Sequence, residues 1–119
     1  MEQESAILAL GALAQDTRLD TFRLLVKSEP EGVPAGELAR SLGVPQNTLS
    51  AHLSILARAG LVVGERQSRS IIYRANLETF RALTQFMVQD CCGGSDQLCA
   101  PLLEGLRLHS PTTRKFRAR

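Results

Sequence analysis

The chain has 119 residues, of which 44% are hydrophobic but only 4% aromatic, and its formal net charge is +2. This length suits one domain with a core built mainly from Leu, Ala, Ile and Val, and such a small domain often gains stability by dimerising. No apolar run approaches the ~18 residues of a membrane span, and the acidic start Met1-Glu2-Gln3-Glu4 differs from the basic start of a signal peptide. We therefore expect a cytoplasmic protein with no membrane partner.

The charge is distributed unevenly. Residues 33–75 carry five arginines and two glutamates, whereas residues 1–32 and 76–113 are both net acidic. This asymmetry favours one surface in the middle of the chain that faces phosphate groups. The last six residues, 114–119, carry four further positive charges and are typical of a disordered, solubilising end.

Apolar residues at helical spacing predict two helices between residues 7 and 26. The residues at this spacing are Ile7, Leu10 and Ala14, followed by Leu19, Phe22, Leu25 and Val26. A third helix is predicted over about 35–42 and ends at Gly43. After the turn Val44-Pro45 the pattern predicts a fourth helix over about 46–59, which Gly60 ends. The inner face of this fourth helix is expected to carry Leu49, Leu53, Leu56 and Ala57.

Two β-rich runs, 61–63 and 71–73, flank a polar stretch and predict a hairpin with its tip over residues 64–70. A fifth amphipathic helix is predicted from Leu77 to about Asp90, and a last short helix over 100–108. The order of helices, hairpin and further helices predicts a mainly α fold with a β-hairpin wing, the winged helix-turn-helix. We expect residues 1–90 to form the DNA-binding and dimerisation domain and residues 91–119 to form a cysteine effector loop, a short helix and a basic tail.

The segment 37–53 has the parts of a helix-turn-helix: a short helix, a sharp turn with Gly43, and a second helix with a small, polar outer face. A face that is merely solvated is the alternative interpretation, and the agreement of turn, helix lengths and following hairpin argues against it. The residues predicted to contact DNA are Gln46, Asn47, Thr48, Ser50, His52, Arg66 and Arg69.

Each of these side chains suits a different part of the duplex. The amides of Gln46 and Asn47 can pair with adenine through two hydrogen bonds, and the hydroxyls can reach bases or phosphates. The two arginines are expected at the hairpin tip, near phosphates or the minor groove. For His52 two roles stay open: a phosphate donor or a packed scaffold residue.

Two stretches resemble a known family. They are Ala9-Leu-Gly-Ala-Leu-Ala-Gln-Asp-Thr-Arg-Leu19 and the longer stretch 46–62, in which Ser50-Ala-His-Leu53 is followed by Ala59-Gly-Leu-Val62. Together they make residues 9–75 similar to the ArsR/SmtB family of small winged-helix metalloregulators. The resemblance implies a homodimer formed through the first and fifth helices, which binds double-stranded operator DNA at half-sites about one helical turn apart.

The cysteines of the chain are Cys91, Cys92 and Cys99, all within nine residues. The stretch 31–38 has no cysteine and the stretch 77–90 no histidine, so two common metal sites of the resembled family are missing. What remains resembles a subgroup with a C-terminal arsenite site. Three thiolates suit the pyramidal coordination of As(III), whereas Zn²⁺ normally takes four ligands. We therefore predict a repressor whose effector is As(III), with Sb(III) as the second candidate.

Other uses of these thiols stay open from the residues alone. Exposed thiols of low pKa can act as a redox sensor, and Cd(II) or a methylated arsenical can occupy the same site. A disulfide scaffold is disfavoured because the number of cysteines is odd. A thiol enzyme such as an arsenate reductase needs a nucleophilic cysteine in a loop that binds anions, and no basic residue lies near Cys92. We therefore predict that the protein is not an enzyme.

Overall fold

A computed structural model describes residues 1–91 and residue 101, with the backbone alone at positions 90 and 91. The elements in chain order are α1 (Gln3–Leu13), α2 (Asp16–Lys27), β1 (Val33–Pro34), α3 (Ala35–Leu42), α4 (Gln46–Arg58), β2 (Val62–Gln67), β3 (Ser70–Ala75) and α5 (Leu77–Cys91). This order confirms the predicted winged helix-turn-helix. Among the described residues, no helix is both long and apolar enough to cross a membrane.

The core is aliphatic, as the composition predicts, and it lies in the unit formed by residues 1–83. Helix α2 is central to it, because α2 contacts α1, α3, α4 and β3. The large side chains with almost no exposure are Leu25, Leu38, Leu49, Leu56, Leu61 and Val62. One aromatic pair adds to this core: the rings of Phe22 and Phe80 lie 5.4 Å apart between centroids and connect α2 with the start of α5.

Helix α1 buries its small residues and exposes its large ones. Its buried residues are Ala6, Ala9 and Ala12. The apolar residues Ile7, Leu10 and Ala14, whose spacing predicted a helix here, do not form its buried face, since Ile7 is 59% exposed, Leu10 is 42% exposed and Ala14 is also exposed. Alanines spaced three residues apart form one side of the helix, which contacts α2 and α4. The large apolar side chains are consequently left on the outside.

Two glycines end helices in the way the sequence predicts. Gly43 has a φ of 68°, and its N–H donates to the carbonyl of Arg40 (3.2 Å) while the N–H of Val44 donates to the carbonyl of Ala39 (3.1 Å). This pair of bonds is the Schellman motif, which requires the left-handed conformation that glycine adopts without strain. Gly60 repeats the arrangement after α4, with a φ of 80°.

The three strands form an antiparallel sheet in the order β1-β3-β2. Strands β2 and β3 pair from Val62↔Ala75 to Gln67↔Ser70, so only Ser68 and Arg69 connect them. The predicted tip over 64–70 is therefore wrong, because the strands continue through most of that polar stretch. Their outer part is exposed and held by pairing between backbones, which leaves no apolar pattern in the sequence. Strand β1, only two residues long, was not predicted at all.

An ion pair fixes the chain before β1 to the sheet. Arg74 donates to both carboxylate oxygens of Glu29, from Nη2 at 2.7 Å and from Nε at 3.3 Å. Hydrogen bonding to this guanidinium lowers the pKa of Glu29 below its usual value. A lowered pKa in the folded state means that the pair stabilises the fold at neutral pH and that this stabilisation is lost as the pH falls through the folded-state pKa.

A pair of glycine substitutions tests the helix end in the turn of the helix-turn-helix. A Cβ would have open space at both Gly43 and Gly11, but only Gly43 has a positive φ. We expect Gly43→Ala to lower the free energy of unfolding by about 1–2 kcal/mol. The control Gly11→Ala, within α1, should raise it by about 0.5–1 kcal/mol. Urea unfolding at one protein concentration measures both, and a neutral Gly43→Ala would show that this cap does not require glycine.

Candidate nucleic-acid interface

Helix α4 has one buried face and one polar, exposed face. Leu49, Leu53 and Leu56 are buried, as predicted, whereas Ala57, which was predicted to point inward, is exposed. The exposed residues in the first half of the helix are Gln46, Asn47, Thr48, Ser50 and Ala51. The structure therefore brings the predicted amide and hydroxyl side chains together on one surface.

The beginning of α4 favours negatively charged ligands. Its N-cap residue is Pro45, which makes no side-chain capping bond, and the first turn contains no acidic residue. The backbone N–H groups of the first turn consequently point outward without a side-chain acceptor at the cap. Such N–H groups and the helix dipole together attract phosphate oxygens.

The wing has two faces of different charge. In an antiparallel pair, residues opposite each other project to the same side. The inner face carries Gly64, Arg66, Ile71 and Tyr73, and the outer face carries Val63, Glu65, Ile72 and Arg74. On the outer face Arg74 is neutralised by Glu29. The positive charge of Arg66 on the inner face has no such partner, because the ion pairs among the described residues are Arg74–Glu29 and Arg81–Glu78.

The two predicted wing arginines occupy different positions. Arg69 lies in the two-residue connection between the strands, so its prediction at the tip is confirmed. Arg66 was also predicted at the tip, and that position is wrong: it lies within β2, opposite Ile71. Both side chains are exposed. Arg69 can therefore reach farther from the domain than Arg66.

A groove runs between α4 and the inner face of the wing. The residues that line it are Ala35, Gln46, Asn47, Leu49, Ser50, Leu53, Ile71 and Tyr73. One side of the groove is thus formed by the polar residues of α4 that were predicted to contact DNA, and the other side by β3. Tyr73 was not predicted as a site residue, because in the sequence it ends an apolar run that is typical of a buried strand.

His52 is half-buried and contacts Arg18. The Nη1 of Arg18 lies 3.2 Å from the Nδ1 of His52, and the Nε of Arg18 donates to the carbonyl of Ala12 at 2.7 Å. Arginine carries only donors, so Nδ1 must accept and the proton of neutral His52 is on Nε2. Arg18 therefore connects α4 with the last turn of α1. This contact favours the scaffold role of His52, while its Nε2–H keeps a donor for a phosphate.

The predicted thiol site lies outside the residues that the structure describes. Cys91 is the last residue of α5, of which only the backbone is described there, and Cys92 and Cys99 lie in the undescribed part of the chain. Within residues 1–91 and 101, no three His, Cys, Asp or Glu side chains come together in a way that could hold a metal ion. The cysteine site therefore stays a prediction.

Comparison with known proteins agrees with this geometry. Residues 13–65 match the family described as Helix-turn-helix domain. The transcriptional activator HlyU of Vibrio cholerae is 30% identical over 94 residues, which cover 77% of this chain and 84% of HlyU. The HTH-type transcriptional regulator CmtR of Mycobacterium bovis is 36% identical over 99 residues, which cover 82% of this chain and 81% of CmtR.

A solved structure has the same fold. An ArsR-like transcriptional regulator from Rhodococcus sp. RHA1 superimposes with a TM-score of 0.67 at 24% identity, over 82% of this chain and 89% of that chain. This likeness concerns the fold, and the two relatives, both transcriptional regulators, confirm the prediction of a DNA-binding transcriptional regulator.

Two single substitutions of His52, by asparagine and by glutamine, test its contact with Arg18. The amide of asparagine lies near the position of Nδ1, whereas that of glutamine lies near Nε2. We expect His52→Gln to lower the free energy of unfolding by about 1 kcal/mol more than His52→Asn, because only asparagine keeps an acceptor for Arg18. In an Arg18→Ala background the two substitutions should become equivalent. Equal unfolding free energies in the wild-type background would show that the contact adds no stability.

Proposed function

Because the chain belongs to the ArsR/SmtB family of winged helix-turn-helix transcriptional regulators, we propose that it acts in the cytoplasm as a homodimeric repressor. It binds operator DNA and leaves it when As(III) binds Cys91, Cys92 and Cys99. The observation that carries the DNA-binding part is the polar face of α4, which lies exposed beside a wing that carries the exposed Arg66 and Arg69.

The DNA-reading surface works through α4 in the major groove. The amides of Gln46 and Asn47 reach adenine edges, and Thr48 and Ser50 donate to bases or phosphates. Ala51 is small and exposed, so it allows close approach or contacts a thymine methyl group. Arg69 at the wing tip and Arg66 on its inner face contact the backbone or the adjacent minor groove, which makes the affinity depend on salt.

The dimer is formed by α1 and α5. The outer face of α1 exposes Ile7, Leu8 and Leu10 by 59%, 48% and 42%, and the start of α5 exposes Leu77 and Phe80 by 44% and 41%. Large apolar residues concentrated on two helices mark a surface that is covered in the functional assembly. A two-fold dimer presents two α4 helices to half-sites roughly 34–36 Å apart.

The three thiols form the effector site. A free thiol has a pKa of about 8.5, so binding of As(III) at neutral pH releases protons. The glycines at positions 93 and 94 allow the chain to turn, so that Cys99 can return to Cys91 and Cys92. Because Cys91 is the last residue of α5 and Cys92 comes directly after it, their ligation changes the end of a helix of the proposed dimer interface. A coupling of ~3 kcal/mol would weaken DNA binding about 150-fold.

An arsenite titration tests the whole proposal. The DNA is a duplex that the wild-type protein selects from a random library, and binding is followed by fluorescence anisotropy with a non-thiol reductant, since thiol reductants compete for As(III). We expect arsenite to release the wild-type protein from DNA. Cys91→Ser, Cys92→Ser and Cys99→Ser should each bind the duplex normally and respond weakly, because each removes one of three ligands.

Other outcomes separate the alternatives. If only two of the cysteines matter, a ligand that uses two thiols, such as a methylated arsenical, replaces As(III). Release by peroxide that a reductant reverses, with no response to arsenite, would support a redox-controlled repressor. Titrations with Sb(III) and Cd(II) rank the remaining soft ions. Failure to select any duplex would contradict the repressor itself.

A charge placed on α1 tests the dimer. We expect Ile7→Glu to shift the protein towards monomer at micromolar concentration and to weaken DNA binding at least tenfold, because a carboxylate would be buried in the apolar interface. Ser5→Glu, which adds the same charge at another exposed position of α1, is the control and should leave both properties unchanged. Sedimentation equilibrium measures the association, and an unchanged dimer in Ile7→Glu would place the interface elsewhere.

A further inference from the structure

We infer that the groove between α4 and the wing holds one sugar–phosphate strand of the bound DNA, and that the hydroxyl of Tyr73 donates a hydrogen bond to a phosphate in it. This inference rests on the proposed DNA binding and adds a residue and a site to it. The ligand chemistry is that of a phosphodiester, which offers only acceptors to the protein.

The position of the groove selects this ligand. One side of the groove is the exposed face of α4, with Gln46, Asn47 and Ser50, and the other is β3. A helix in the major groove and a wing directed at the adjacent minor groove have one backbone strand of the duplex between them, because each backbone separates the two grooves. The space between α4 and β3 is therefore where that strand passes.

The backbone and the ring of Tyr73 are both held in place. Strand β3 is central in the sheet, and Tyr73 is opposite Val33 of β1 on one side and Gly64 of β2 on the other. A Cβ at Gly64 would lie 2.9 Å from Cε1 and 3.3 Å from Cδ1 of Tyr73, so the ring lies over the bare backbone of this glycine. The ring is thus positioned before DNA binds, and little conformational entropy is lost on contact.

The hydroxyl of Tyr73 is available as a donor. In the described part of the chain it has no hydrogen-bond partner, and no buried side-chain polar atom there lacks one, so the hydroxyl is accessible to solvent. Ser50 lines the same groove and supplies a second hydroxyl. Arg66 shares the inner face of the wing, two residue pairs nearer the tip. A DNA strand that follows the groove would therefore meet the neutral hydroxyls of Tyr73 and Ser50 first and the positive charge of Arg66 nearer the tip of the wing.

Tyr73→Phe removes the hydroxyl and keeps the ring over Gly64. We expect this variant to bind the selected duplex about a hundredfold more weakly, which is about tenfold for each half-site, as for the loss of one hydrogen bond to a charged group from each protomer. The slope of log affinity against log salt should not change, because the phenol is neutral and displaces no counterion. Arg66→Gln, in contrast, should reduce the slope by about 1.8, which is about 0.9 for each protomer.

A methylphosphonate scan locates the contact. Duplexes are prepared in which one phosphate at a time is replaced by a neutral methylphosphonate. At one position in each half-site the replacement should weaken binding of the wild-type protein about tenfold yet have little effect on Tyr73→Phe, since the partner of that phosphate is already missing. Asn47→Ala is the matched control: it should lower affinity for the selected sequence and keep the wild-type response at that position.

Two further measurements make the result decisive. Thermal unfolding of Tyr73→Phe should match that of the wild type, because the ring contacts remain. Gly64→Ala keeps the hydroxyl but displaces the ring. A methylphosphonate at the same position should therefore have little effect on the affinity of this variant. The assignment of Tyr73 is overturned if Tyr73→Phe binds as tightly as the wild type, or if each methylphosphonate weakens binding of Tyr73→Phe as much as binding of the wild type. The proposed repressor function would not be affected by that result. If the wild-type protein selects no duplex, the proposed function fails and the assignment fails with it.

Discussion

The proposed recognition surface depends on α4 being anchored along one face only. A helix that reads DNA must keep its polar face bare, so its position has to be fixed entirely from behind and from its ends. Leu49, Leu53 and Leu56 provide the apolar anchor, and the left-handed Gly43 sets the angle at which the helix begins. The contact of Arg18 with His52 adds a polar attachment along the same helix. None of these groups uses the face that carries the amides and hydroxyls.

Local chemistry explains which parts of the fold were predictable. Gly43 and Gly60 end helices through backbone geometry that depends on a few neighbouring residues, and both ends were predicted correctly. The orientation of α1 could not be predicted, because Ile7 and Leu10 have the same helical spacing as core residues. Burial was decided by how closely α1 approaches α2 and α4, which favours alanine. The length of the wing was also missed, since strands held by backbone pairing need no apolar pattern.

The residues of the candidate site also fall into two groups, those that the sequence predicted and those that it did not. The polar residues of α4 and the tip position of Arg69 followed from helical spacing and from turn signals. The role of Tyr73 and the partner of His52 could not be predicted in this way, because both depend on contacts between residues far apart in the sequence. The distance in sequence between Arg18 and His52 is 34 residues, and yet each belongs to one of the two stretches that resemble the family. The resemblance thus contained a tertiary contact that neither stretch could reveal alone.

The contact between Arg18 and His52 also connects the proposed dimer interface with the helix proposed to bind DNA. Arg18 donates to the carbonyl of Ala12 in the last turn of α1 and to His52 in α4, so a single side chain touches the helix with the outward apolar face and the helix with the recognition residues. In the proposed dimer α1 is held by a second copy, and a change in its position acts on α4 through this guanidinium as well as through packing. Because a guanidinium has several donors at fixed angles, it cannot keep both bonds if the two helices separate. In the proposed dimer, the spacing of the two α4 helices would therefore depend on the interface that a bound effector would alter.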